Sequence, residues 1–103
     1  MRTAPAALPP TAAIALAVQL VAARGFAVTA RNDRGDSLYL RPEGSPFVLR
    51  VSNHARTPKQ RRGHPEVLAS LVVRGPRTPA QVAAMVEAAV RDFRAAAMRR
   101  DPG

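Results

Sequence analysis

The residues that could do chemistry are cationic. Arg31, Tyr39, Arg41 and Arg50 fall at alternating positions of three short runs, Phe26 to Arg31, Ser37 to Arg41 and Phe47 to Ser52. Guanidinium groups around one aromatic ring can grip phosphates while the ring offers a surface for stacking or a cation–π contact. Ser52 and His54 close the third run. Beyond them, Arg56, Lys59, Arg61 and Arg62 place four cations within seven residues, a density that favours anions in a salt-dependent way. The whole chain of 103 residues carries 16 basic and 7 acidic residues, a net charge of +9. All the basic residues except Lys59 are arginine, amid abundant Ala, Pro and Val. A GC-rich genome imprints the same bias on any protein, so the charge total specifies no partner.

Other chemistries are less well supplied. His54 and His64 could ligate a metal only with further donors, and the nearest acids, Glu43 and Glu66, stand at no zinc spacing, so neither metal nor cofactor is expected. His54 follows a strand end, where imidazole caps backbone groups or, alternatively, acts as a general acid or base. Ser37, Ser45, Ser52 and Ser70 have no base at a diagnostic spacing, and the scattered acids form no carboxylate cluster of the kind a metal-dependent nuclease needs. The chain lacks cysteine, which excludes disulfides and thiolate metal sites and suits a reducing, cytoplasmic compartment.

These side chains must be positioned by one small core. Residues 1–10 hold three prolines and no periodicity, and read as an irregular or mobile arm. Thr11 offers a cap to a helix whose Ile14, Val18, Leu20 and Val21 form its buried face, with Gly25 as the stop. Residues 12–23 are too few to span a bilayer and are preceded by a single basic residue, so they read as a core helix rather than a signal segment, and no membrane partner is expected.

Three strands follow, separated by Asn32–Asp36 and Pro42–Pro46, short turns that imply an antiparallel meander. Matching apolar sets puts Phe26, Val28, Ala30, Leu38, Leu40, Phe47, Leu49 and Val51 on one face and Thr29, Arg31, Ser37, Tyr39, Arg41, Arg50 and Ser52 on the other. Residues 53–65 show no periodicity and read as a long basic loop. Val67 to Val73 is a fourth strand. Thr78, Pro79 and Gln81 open a final helix with a capping box, an apolar stripe of Val82, Met85, Val86, Ala89, Phe93 and Ala96, and a Glu87–Arg91 pair outside. The expected architecture is α+β, in the order α-β-β-β-(β)-α: an antiparallel sheet of three or four strands with two helices on one face, as in double-stranded-RNA-binding-like folds, within a single domain over residues 11–100.

Two resemblances attach to these residues. Ser37-x-Tyr39-Leu40, Gly44 and Leu49-Arg50-Val51-Ser52-Asn53-His54 resemble a pattern in small uncharacterised phage and mobile-element proteins, which makes Tyr39, Arg50, Ser52 and His54 signature residues and implies no activity. Gly25-Phe26 and His54 also look like the order found in HicA-type toxin ribonucleases, although Gly35-Asp36-Ser37 stands where that family carries Gly-Ser-His. The leading expectation is a small basic non-enzymatic module that contacts DNA or RNA. The alternatives are a HicA-like ribonuclease using His54 and a factor that docks its basic face on an acidic protein.

Overall fold

A computed structural model describes residues 6–100 of the chain. Its elements run α1 (Pro10–Ala22), β1 (Phe26–Arg31), β2 (Ser37–Pro42), β3 (Val48–Ser52), α2 (Pro58–Gly63), β4 (Val67–Val72) and α3 (Pro79–Arg100). Four strands form one sheet in the order β1-β2-β3-β4. The fold is α+β, with α1 and α3 packed together on one face of the sheet.

Helix α1 starts one residue before the expected cap. Pro9 is the N-cap and Pro10 fills the first turn, where a missing N–H costs nothing, while Thr11 makes no capping bond. The face it buries is also displaced: Ala13, Ala17 and Val21 are 0% exposed, whereas Ile14, Val18 and Leu20 are only half-buried. Small side chains on the contact face let α1 lie close to its neighbours. Gly25, at φ +91°, makes the turn into β1. Of the expected arm, residues 1–5 lie outside the described residues. Leu8 is tied down by reciprocal backbone hydrogen bonds with Arg77 and packs on the core.

β1, β2 and β3 form the expected antiparallel meander. On the helix side, Leu40 lies opposite Leu49 and Leu38 opposite Val51, joined by Phe26, Leu71 and Val73. The departure in this part lies in β1. Val28 pairs with Leu40 but Ala30 pairs with Tyr39, so Thr29 is an extra residue and every later side chain changes side. Ala30 therefore leaves the core, and Arg31, opposite Leu38, leaves the face that carries Tyr39.

β4 pairs with β3 in parallel rather than antiparallel fashion. A parallel neighbour requires a crossover of about a dozen residues or more, and residues 53–66 supply it. The expected loop contains a helical turn, α2, capped by reciprocal bonds between Thr57 and Gln60. Thr57-Pro58-x-Gln60 repeats the signature of Thr78-Pro79-x-Gln81, whose capping box opens α3 as expected.

The stripe of α3 buries Val82, Val86, Ala89, Val90 and Phe93, with Met85 partly covered. Phe93 meets Phe26 edge-to-face at 5.1 Å, joining the last helix to the first strand. Glu87 does not pair with Arg91. It reaches Arg24 beyond the end of α1, and Arg91 lies against Asp92 instead. No described helix is long and apolar enough to cross a membrane.

Phe93→Ala should destabilise the domain by about 3–5 kcal/mol and Thr78→Ala by about 1 kcal/mol. Both should appear in urea titrations as a lowered midpoint with an unchanged slope.

Candidate anion-binding site

The pairing of β2 with β3 places Ser37 opposite Ser52 and Tyr39 opposite Arg50, all on the side away from α1 and α3. That side is not an open face. The crossover returns over it, so that Arg56, Gln60 and His64 roof a cavity of about 240 Å³ whose floor and walls include Ser37, Tyr39, Arg50 and His54. The roof is stapled by Arg56 Nη1 donating to the His64 carbonyl at 3.5 Å and by Arg100 Nη1 of α3 donating to the Pro65 carbonyl at 3.2 Å.

The floor is a polar network sealed from solvent. Ser37 and Ser52 are 2% and 0% exposed and share a hydrogen bond of 2.7 Å. Arg50 is only 1% exposed. Its Nη2 donates to Ser52 Oγ at 3.1 Å and to Ser37 Oγ at 3.4 Å, but its Nε and Nη1 find no partner among the described residues. Buried donors are rarely left unmatched, and a buried guanidinium, which keeps its charge, is costlier still.

No carboxylate among the described residues makes an ion pair with Arg50, Arg41 or Arg56. Of the two nearby acids, Glu66 lines the adjoining cavity and favours the charged form of Arg56 without contacting it, and Asp36 is held by Asn32. Glu66 lies 3.4 Å from His64 Nδ1. Asp36 accepts from Asn32 and lies 3.8 Å from Arg34. The Asn32 hydrogen bond, more than Arg34 or His54, holds the Asp36 carboxyl below its ordinary pKa. Arg56 is also pushed below its ordinary pKa, first by burial and next by the charge of Arg50. Arg50 and Arg56 face one cavity with Glu66 at its side as the nearest counter-charge to Arg56 and no ion-paired carboxylate among the described residues, which leaves the site net positive.

A second cavity of about 320 Å³ adjoins the first and shares Tyr39, Arg56 and His64 with it. Thr29, Ala30, Val48 and Val67 make much of its lining apolar. Arg41 also lines it, and the buried Arg41 Nε likewise has no partner among the described residues.

His54 closes the network without forming a catalytic relay. Its Nδ1 lies 2.7 Å from Asn53 Oδ1 and 3.2 Å from Ser52 Oγ. Both neighbours use the same ring nitrogen, whereas a nucleophile–base–orienter triad needs one on each. Ser52 is in any case fully buried. With its hydrogen on Nδ1 the ring donates to Asn53 Oδ1, and Nε2 is the nitrogen left facing other partners.

The residues expected to bind are thus sorted by the structure. Tyr39, Arg50, Ser52, His54 and Arg56 converge on the smaller cavity or its floor, and Arg41 reaches the adjoining one. Arg31 is carried to the other side of the sheet by the bulge. Arg61 borders a separate hollow of about 250 Å³ beside β4, and Lys59 and Arg62 stand exposed on α2 outside all three cavities. Sequence reasoning missed Asn32, Arg34, Gln60 and His64 as lining residues. The Thr57–Gln60 capping box was the signal that could have placed the last two. No family model, curated protein or solved structure matches the chain.

Arg50→Met removes the charge but keeps most of the stem's volume. In dilute buffer without multivalent anions it should raise stability by on the order of 1 kcal/mol. Phosphate at matched ionic strength should raise the Tm of the parent protein and leave that of R50M unmoved. Greater stability loss in R50M with equal phosphate responses would rule out an uncompensated charge at Arg50.

Proposed function

We propose that this protein is a small, basic, non-enzymatic binding module that contacts nucleic acid, with the Arg50 cavity as its anchor and the cations of α2 as its electrostatic rim. The observation that carries the reading is the buried Arg50 guanidinium, with two unmatched donors and no ion-paired acid among the described residues. A phosphate supplies the missing negative charge and an acceptor oxygen for one of the two free donors, which point from different edges of the guanidinium, through a charge-assisted hydrogen bond. Arg56 adds a second cation at the roof, and Lys59, Arg61 and Arg62 lie on exposed backbone nearby, where they can track a polyanion without burial cost.

The residues that carry the resemblance to small phage and mobile-element proteins include those that build the floor: Ser37, Tyr39, Arg50, Ser52 and His54. The likeness thereby supports a mobile-element setting for the same site.

A ribonuclease reading is favoured by one observation, the Nε2 of His54, which makes no hydrogen bond among the described residues and belongs to a ring lining the same cavity. Under that reading expression should inhibit growth, and His54→Ala should relieve the inhibition. Harmless overexpression leaves the binding module.

Affinity for single-stranded oligonucleotides, followed by fluorescence anisotropy, should fall steeply as salt rises, with a slope of about −0.7 per phosphate neutralised. The double variant Arg61→Ala/Arg62→Ala should weaken binding irrespective of sequence and flatten that slope. No binding to DNA or RNA at low salt, with retention of an acidic protein partner after nuclease treatment, would replace nucleic acid by protein as the ligand.

A further inference from the structure

Resting on the nucleic-acid reading, we infer that the two adjoining cavities form an end-recognition site, in which Arg50 and Arg56 hold a terminal phosphate monoester and the cleft beyond Tyr39 receives the nucleoside that bears it.

The first argument is access. Arg50 lines the concavity at 1% exposure and its Nε and Nη1 are themselves closed to solvent, so an anion that engages them must project inward and displace the side chains packed over them. An internal phosphodiester is flanked by sugar on both sides, and both links would have to pass the roof formed by Arg56, Gln60 and His64. A terminal monoester has one link and enters end-on.

The second argument is charge and valence. A phosphate monoester carries close to two negative charges at neutral pH and three acceptor oxygens. The site offers two guanidiniums, Arg50 and Arg56, neither ion-paired to a carboxylate among the described residues, and the two unmatched nitrogens of Arg50 call for two acceptors. A diester, with one charge and two unesterified oxygens, meets less of this demand.

The third argument is the neighbouring space. At about 30 Å³ per water, 240 Å³ corresponds to roughly eight waters, more than a phosphate alone fills. The shared Tyr39 leads into the larger cavity, where Val48, Val67 and Ala30 offer an apolar lining beside the polar Thr29, Arg41 and Glu66. An unpaired base has these complementary features, flat apolar faces and a polar edge, and single-stranded ends present bases in this unstacked form.

The test compares four single-stranded oligonucleotides of one sequence: 5′-phosphorylated, 3′-phosphorylated, hydroxyl at both ends, and circular. One phosphorylated end should bind about tenfold or more tighter than the hydroxyl-ended and circular forms, the scale of a lost pair of charge-assisted hydrogen bonds. Which of the two it is identifies the polarity. Arg50→Met should erase the preference while leaving weak, salt-sensitive binding. Arg56→Gln, a change at a half-buried roof residue, should reduce it severalfold and keeps the test valid if R50M misfolds by circular dichroism. Equal affinity for all four forms overturns end recognition but leaves nucleic-acid binding intact. Absence of binding by every form at low salt overturns the nucleic-acid reading itself.

Discussion

A guanidinium in the middle of a sheet, sealed from solvent and without an ion-paired carboxylate among the described residues, is the constraint around which the polar half of this molecule is organised. Ser37 and Ser52 exist as a buried pair that takes one nitrogen of Arg50, and His54 and Asn53 complete the network around Ser52. Such an arrangement satisfies geometry without neutralising charge. An aliphatic side chain at Arg50 would pack there at lower cost, because desolvating an unpaired ion costs several kcal/mol even after relaxation. Retention of the charge is therefore intelligible as a binding device whose cost is returned when an anion enters.

The fold makes that device rigid. Arg50 lies on β3, which is flanked by β2 and β4, and its backbone is held on both sides by ladder hydrogen bonds. The helix side of the same strand is locked by Leu49 and Val51, both fully buried. A site carried by an internal strand is positioned more precisely than one carried by a loop. The parallel pairing of β4 supplies the other half. Because the chain must cross from the end of β3 to the start of β4, residues 53–66 pass over the polar face and convert a shallow arginine surface into a roofed cavity. The bulge at Thr29 then turns Ala30 to the side of Tyr39, where both line the adjoining cleft.

Much of this was legible in the sequence, for identifiable reasons. The alternation in β2 and β3 is strict, and slipping either strand by one residue would bury an arginine among leucines, so the phase of Tyr39, Arg50 and Ser52 followed from pattern alone. The Thr78–Gln81 box marked the start of α3 without ambiguity. The same motif at Thr57–Gln60 went unread because the helix it opens is too short to show an apolar period and buries none of its own residues. The bulge is a property of tertiary pairing and leaves no local mark in Phe26–Arg31. The contact face of α1 was misplaced because the larger Ile14 and Val18 outweigh Ala13 and Ala17 in any hydrophobic pattern, although close helix packing selects the small residues. The burial of Arg50 depended on a parallel crossover, which no short-range signal announces.

The Arg50 guanidinium itself is the place to look. Its Nε–H group, buried and without an acceptor among the described residues, should give a resolved proton–nitrogen cross-peak, assignable by its loss in R50M. On titration with a nucleoside monophosphate that peak should move downfield in the proton dimension and exchange more slowly with water, as a hydrogen bond to a phosphate oxygen forms. A cross-peak that stays in place while surface arginines such as Arg61 respond would show that the anion never reaches the floor, and would contradict a phosphate site built on Arg50.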